Sequence, residues 1–156
     1  MLRVFAEHGV EFVMIGGLAA AMHGSDHVTT DLDITPGRDV ANVERLSAAL
    51  GVLGARIRVE GIEGGLAFAH DGESLLRAGV WNLTTQHGDL DLSFVPSGTE
   101  GWEDLSLHAI VVDLDGTRVS VAALDDIIRS KEAADRPKDR LVLPSLRHLR
   151  DVIGDN

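Results

Sequence analysis

The sequence predicts an α+β domain, a mixed central β-sheet with helices mainly on one face. Three observations lead there. Apolar, β-branched runs such as Val10–Ile15 and the alternating Val28–Thr35 read as strands. Two later stretches have the form of hairpins, and the better one turns on Asp115-Gly116. Between them lie segments with apolar residues at helical spacing, so strands and helices share one chain of 156 residues, enough for a single domain over 1–156.

Taken in order, residues 2–8 suit a short helix that stops at Gly9. The strand Val10–Ile15 ends at Gly16-Gly17, and the alanine-rich Leu18–His23 favours helix until Gly24. In the second strand, Asp31 and Asp33 fall on one side and Leu32 and Ile34 on the other, with Pro36-Gly37 as its end. Val40, Val43, Leu46, Leu50 and Leu53 repeat at helical spacing, which predicts a helix over 39–50. Arg56–Val59 reads as a further strand. Gly61 to Gly72 holds four glycines without a period and reads as loop, followed by a brief helix at Glu73–Arg77. Val80–Thr85 and Asp89–Val95 flank a three-residue turn, Gln86-His87-Gly88, and His108–Leu114 pairs with Thr117–Val121 across Asp115-Gly116. Leu124–Ala134 is a helix that stops before Pro137, and a last helix follows Pro144 with Leu146, Leu149 and Ile153 on its buried face.

Composition excludes several classes. There is no cysteine, which removes disulfides, zinc-thiolate sites and thiol nucleophiles together. The most apolar stretch, Phe12–Met22, falls well short of the roughly 20 residues a membrane helix needs, and Glu7 and Glu11 interrupt any secretory signal. The expectation is a soluble, cytoplasmic protein. Net charge is −11, unevenly distributed: residues 1–128 carry −13 and residues 129–156 carry +2. Such an acidic body repels phosphates over most of its surface, while the basic C-terminal segment, home to both lysines (Lys131 and Lys138), offers one place for them to dock.

Three groups of residues could carry chemistry. Asp31 and Asp33, two apart on a strand, project on one face about 6.6 to 6.8 Å apart along the chain, and paired carboxylates converge on hard cations such as Mg²⁺. The glycine pair Gly16-Gly17 before them lets backbone N–H groups approach a phosphate. In Gly88–Phe94, Asp91 shares a face with Asp89 and Ser93 and would complete a three-carboxylate site if its strand lies beside that of Asp31. Asp89 is the rival for that role. If both strands are central neighbours, the carboxylates of Asp31, Asp33 and Asp91 should lie within about 6 Å of one another, as in two-metal sites. In the charged run 129–139, Lys131 offers a point charge to a triphosphate and Asp139 an orienting carboxylate. Each group alone also has a plainer reading: a solvated strand edge, a polar hairpin face, or a salt-bridged surface helix.

Together they resemble a known family. Ile15-Gly16-Gly17-Leu18-Ala19, His23-Gly24 and Thr29-Thr30-Asp31-Leu32-Asp33, followed by Ile128-Arg129-Ser130-Lys131-Glu132-Ala133-Ala134-Asp135-Arg136-Pro137-Lys138-Asp139, are similar to the two diagnostic stretches of minimal nucleotidyltransferases of the abortive-infection AbiE toxin type. That family belongs to the DNA-polymerase-β-like superfamily, and the likeness runs over about residues 10–146. The resemblance implies that Asp31, Asp33 and Asp91 hold two Mg²⁺ ions, that Gly16-Gly17 cradles the NTP, that Lys131 contacts its phosphates, and that Asp139 fills the family's fourth motif position. It further implies transfer of a nucleoside monophosphate to an acceptor hydroxyl such as a tRNA 3′ end, by the toxin of a toxin–antitoxin pair with a cognate antitoxin protein. Three departures stand out: His27 where many relatives carry Arg, Ala123 where many have a helix-capping Ser, and a shorter N-terminal helix than is usual.

Other motifs fail. His23 and His27 have Gly24 between them and no Glu after His23, so the zincin pattern is absent, and neither a P-loop nor a G-x-G-x-x-G occurs. Neither Asp31 nor Asp113 opens an EF-hand loop. Two alternatives remain beside RNA nucleotidylation. One is nucleotidylation of protein hydroxyls (AMPylation), for which the fourteen positions from Gly17 to Asp31 are longer than its known members use. The other is a non-catalytic nucleotide-binding or partner-binding module.

Overall fold

The computed structural model describes residues 1–27 and 29–154. Their elements run α1 (Leu2–Glu7), β1 (Phe12–Ile15), α2 (Gly16–Met22), β2 (Leu32–Pro36), α3 (Val40–Val52), β3 (Arg56–Val59), β4 (Ile62–Leu66), α4 (Gly72–Arg77), β5 (Val80–Thr85), β6 (Gly88–Ser93), α5 (Trp102–His108), β7 (Ile110–Leu114), β8 (Thr117–Val121), α6 (Leu124–Ala134) and α7 (Pro137–Gly154). The strands form one sheet in the order β4-β3-β5-β6-β2-β1-β8-β7. It is mixed: β2 runs antiparallel to β1 and parallel to β6, and β1 runs parallel to β8. The predicted α+β class is the observed one.

Alternation in the central strands separates core from site. Leu32 and Ile34 pair with Leu90 and Leu92, and all four are buried. Leu83 of β5 continues that apolar face from Leu90 to Ile57. Val43, Leu46, Ala49 and Leu50 of α3 belong to the same buried cluster. Asp33 and Asp91 alternate with these leucines and point to the opposite side of the sheet.

Buried Asn42 ties the helix to the sheet. Its side chain accepts from the Glu11 N–H at 2.7 Å and donates to the carbonyls of Glu11 and Gly37 at 2.8 and 2.9 Å. Asp39 caps α3 by accepting from the Asn42 N–H, as Asp71 caps α4 through Ser74.

Several expectations need correction. Gly61–Gly72 is not all loop, because Ile62–Leu66 forms the edge strand β4. Gly64 and Gly65 both have positive φ there, and a Cβ on Gly65 would lie 2.4 Å from the Ile57 carbonyl oxygen. Glycine thus marks an irregular strand with a register shift, a pattern without side-chain alternation to read. The first hairpin turns on two residues, since Gly88 pairs with Thr85. His108 closes α5, a helix absent from the sequence reading, and does not begin β7. The final helix starts at Pro137 and runs through Pro144. Proline is at home in a first turn, whereas Pro144 is carried by packing, with Leu143 and Leu146 buried on either side of it. Of the expected buried face, Leu146 is buried, Leu149 packs at the core's margin, and Ile153 is 49% exposed. The second strand starts at Leu32, so Asp31 stands just before it; Val28 lies outside the described residues.

Candidate active site

The polar side of the sheet carries a transverse row. Ile15 of β1 is opposite Asp33 of β2, Asp33 is opposite Asp91 of β6, and Asp91 is opposite Asn82 of β5. In the β3–β5 register Arg56 is opposite Thr84 and Ile57 opposite Leu83, and the next residue, Arg58, reaches the row through its side chain. Residues level in adjacent strands share a face, so Asp33 and Asp91 are side-by-side neighbours. Asp89 is level with Thr84 and has no partner on β2.

Gly16, at the junction of β1 and α2, lies under Asp33. Its φ is +71°, and a Cβ there would come within 2.2 Å of Asp33 Oδ2. Only glycine permits both that conformation and that approach. Gly17 serves a different contact: a Cβ on it would lie 2.6 Å from Thr29 Cγ2, so its absence lets the segment leading to Asp31 close on α2.

A cavity of about 330 Å³ opens beside this row, and Gly16, Asp33, Asn82, Asp91, Lys131 and Arg136 are among its lining residues. Gly17, Asp31 and Asp139 are not. Burial, then the charges of Asp91 and Asp31, push the Asp33 carboxyl up to about 6, against the lowering pull of Lys138 and Lys131. Both lysines of the chain are therefore felt at Asp33. Burial also raises the Asp91 carboxyl, with Arg58 pulling the other way.

Arg58 binds that carboxylate directly. Its Nη2 donates to Asp91 Oδ1 and its Nη1 meets Asp89 Oδ2, each at 2.7 Å. Asp31 accepts from the Thr30 hydroxyl at 3.2 Å. Among the described residues, no three His, Cys, Asp or Glu side chains are gathered into a ready-made metal centre. Asp33 and Asp91 form a level pair, with Asp91 held by arginine, and the charge of Asp31, just before β2, is felt at both.

At the far wall, Asp139 is fully buried. It accepts from Lys131 Nζ at 3.2 Å and from Arg136 Nε at 2.6 Å. Burial would raise its carboxyl, but these two cations hold it below the ordinary carboxylate value. Asp139 has no surface of its own to offer, so it acts on a ligand only by fixing Lys131 and Arg136. The α6 helix has Ala123 as its N-cap, with no side-chain cap, as the sequence predicts, and Asp135 as its C-cap in the left-handed region. His27 donates to or accepts from the Ser145 hydroxyl at 2.8 Å, tying its loop to α7.

Arg58, Asn82 and Asp126 are site residues that sequence reasoning missed. Asp126 also lines the cavity, buried against Arg129 at 2.9 Å. The alternation of Arg56 and Arg58 on a strand was a usable signal for Arg58, but only the pairing order of β3, β5 and β6 directs it to Asp91.

No protein-family model and no curated protein sequence matches the chain. Solved structures do. The lincosamide antibiotic adenylyltransferase LnuA, with lincomycin bound, superposes with a TM-score of 0.61 at 13% identity, over 95% of this chain and 92% of LnuA. The solution structure of the antibiotic-resistance factor ANT(2″)-Ia gives 0.57 at 18% identity, over 99% of this chain and 80% of that one. The crystal structure of ANT(2″)-Ia with adenylyl-2″-tobramycin gives 0.51 at 16% identity, over 99% and 92%. At these identities the likeness establishes the nucleotidyltransferase fold. No helix among the described residues is long and apolar enough to cross a membrane.

Proposed function

We propose that this chain is a Mg²⁺-dependent nucleotidyltransferase that moves a nucleoside monophosphate from an NTP to an acceptor hydroxyl. The observation that carries the reading is the level pairing of Asp33 with Asp91 beside a cavity that Gly16 and Lys131 also line. The residues fit a hard cation. Carboxylate oxygens are the donors Mg²⁺ prefers, and Asp33 and Asp91 stand level on adjacent strands with Asp33, Asp91 and Lys131 lining one cavity. Asp31, Asp33 and Asp91 are the residues proposed to hold two Mg²⁺ ions, whose chemistry is to neutralise phosphate charge and to make a nearby hydroxyl more acidic.

The chain's own residues supply the rest. Gly16 lets Asp33 lie against the start of α2 and, with Gly17, would offer main-chain N–H groups to the triphosphate, while Gly17 also keeps the Thr29–Asp31 segment close. Lys131 meets the phosphates, held in place by Asp139. Asp91 Oδ2 takes the proton of the acceptor hydroxyl, its Oδ1 being committed to Arg58. The acceptor oxygen then bonds to the α-phosphorus, the bond from that phosphorus to the bridging oxygen breaks, and pyrophosphate leaves.

For the acceptor we propose an RNA hydroxyl, a tRNA 3′ end, in a toxin countered by an antitoxin protein. The sequence resemblance and the basic segment around Lys131, Arg136 and Lys138 support it. A small polyhydroxylated acceptor is the second reading. It is favoured by the modest cavity, whose lining includes Ser93, Ser97, Thr99 and Asp126, and by the antibiotic substrates named for LnuA and ANT(2″)-Ia.

The test is incubation with Mg²⁺, each of the four α-labelled NTPs, and either total tRNA or a panel of hydroxylated small molecules, beside an Asp31→Ala, Asp33→Ala control. Label in RNA that disappears in the control supports the first reading. Label in a small molecule moves the assignment to the second, and label in protein alone moves it to AMPylation. No transfer to any acceptor overturns the enzyme reading and leaves a nucleotide-binding module.

A further inference from the structure

Arg58 stands out because it occupies, with a fixed positive charge, the carboxylate where a metal ion would sit. Its fork spans two acids of one strand face, Asp89 and Asp91, with 2.7 Å contacts to each. These side chains are only 25 to 35% exposed, so solvent screens the charges incompletely. The neighbouring Arg56 is used otherwise, donating from Nε to the Gly65 carbonyl of the edge strand. Asp89 is level with Thr84 and lacks a partner on β2. Its contact is with Arg58, which gives it the role of anchor and leaves Asp91 as the carboxylate level with Asp33.

We propose that Arg58 is a positioning residue that sets the divalent-cation affinity of the Asp33–Asp91 pair, keeping it low until a nucleotide triphosphate brings compensating negative charge. This rests on the metal-dependent reading given above. An arginine cannot shed its proton to make way for a cation. It either swings toward Asp89 and gives up the Asp91 contact, or stays and repels the incoming charge a few ångströms away; both weaken metal binding to the chain alone. The same guanidinium holds Asp91 Oδ1 in place, so the carboxylate is oriented before the cation arrives. An NTP bound against Lys131 would bring phosphate oxygens that offset the charge of Arg58 and Lys131 together, so that Asp33 and Asp91 would hold a divalent cation more tightly with the nucleotide than without it.

The experiment is Mn²⁺ binding to the full chain without nucleotide at pH 8, read by the electron-spin resonance of free Mn²⁺. Four proteins are compared: wild type, Arg58→Gln, Arg58→Lys and Asp33→Asn. The expected result is binding about ten-fold tighter in Arg58→Gln, from loss of one positive charge beside the site. Arg58→Lys, which keeps the charge, stays near wild type, and Asp33→Asn loses binding. If Arg58→Gln binds no more tightly while Asp33→Asn still abolishes binding, the role of Arg58 is overturned and the metal reading survives. If no variant, wild type included, retains Mn²⁺ on the protein in equilibrium dialysis with NTP, beyond what a protein-free NTP arm holds, both are overturned. Should Arg58→Gln fail to fold because Asp89 and Asp91 then face each other unpaired, the Arg58→Gln, Asp89→Asn double variant removes that repulsion. Tightening of the same sign is expected there, and its absence overturns the proposal.

Discussion

Substituting alanine at Gly16 and at Gly17 separates two adjacent glycines by mechanism. At Gly16 the new Cβ meets three atoms of Asp33, at 2.2, 2.7 and 2.9 Å, and the backbone sits at φ +71°. An alanine in the left-handed region costs about 1–2 kcal/mol. Rotating the Asp33 side chain cannot clear a contact that includes its own Cβ, so the strand or the helix start must also shift, for about 1–3 kcal/mol more. The sum is about 2–5 kcal/mol, or a fall in Tm of roughly 5–15 °C for a domain of this size. At Gly17 the Cβ meets the Thr29 side chain, nearest at 2.6 Å, with no positive φ. Rotation of Thr29 relieves the Cγ2 contact and its Cβ, at 3.0 Å, needs a shift of only a few tenths of an ångström in the segment before β2, while alanine recovers about 0.5–1 kcal/mol of helix preference over glycine. Gly17→Ala is therefore expected within about 1–2 kcal/mol of wild type. Urea denaturation of both variants beside wild type reads the difference without reference to any activity. Equal destabilisation of the two, or a Gly16→Ala midpoint equal to wild type, would refute the claim that Asp33 lies against Gly16.

Three further outcomes are expected. Asp33 has its folded carboxyl pushed to about 6, above the value of 3.8 it has in an open chain. The protonated form therefore favours folding: its contribution is complete below about pH 4 and lost as pH rises through 6. In EDTA, Asp33→Asn should be more stable than wild type at pH 8 by up to about 3 kcal/mol and lose that advantage by pH 4, as urea midpoints across that range will read. Asn42→Ala strands the Glu11 N–H and the Gly37 carbonyl it serves, and a loss of about 2–4 kcal/mol in denaturant midpoint measures it. Asp139→Ala leaves Lys131 and Arg136 facing each other without their shared carboxylate. Arg136, 56% exposed, can turn to water, while Lys131, 17% exposed, is left largely buried, so the expected cost in thermal unfolding is about 3–5 kcal/mol, together with weaker NTP binding in a fluorescent-nucleotide titration.

Much of the fold could be read locally. The span of α6 follows from its apolar spacing and from Pro137 beyond it. The Asp115-Gly116 turn follows from two residues that accept positive φ, observed at 51° and 82°. What failed was local signal overruled by packing. Pro144 reads as a helix boundary, yet the buried leucines beside it hold the helix through. The glycines of β4 read as loop, because a strand made of Gly64 and Gly65 has no alternation to show.

The candidate site divides along the same line. Asp33 was legible because it stands in a short motif with its glycines. Asp91 was chosen over its rival Asp89 from pattern and resemblance, and what sets it level with Asp33 is the pairing of β6 with β2, a register between strands more than fifty residues apart. Arg58 required two such pairings, from β3 to β5 and from β5 to β6. Chemistry written into neighbouring residues survives in the sequence, while chemistry assembled across strands appears only when their order is fixed. That is why the acids of this site were visible first, and why the cation that opposes them was not. A sheet that brings Asp31, Asp33, Asp89 and Asp91 to one region must answer their mutual repulsion. Arg58 and the Lys131–Lys138 segment are the answer the fold supplies on its two sides, and in the metal-dependent reading proposed above the balance between them sets how strongly the site draws in a further cation.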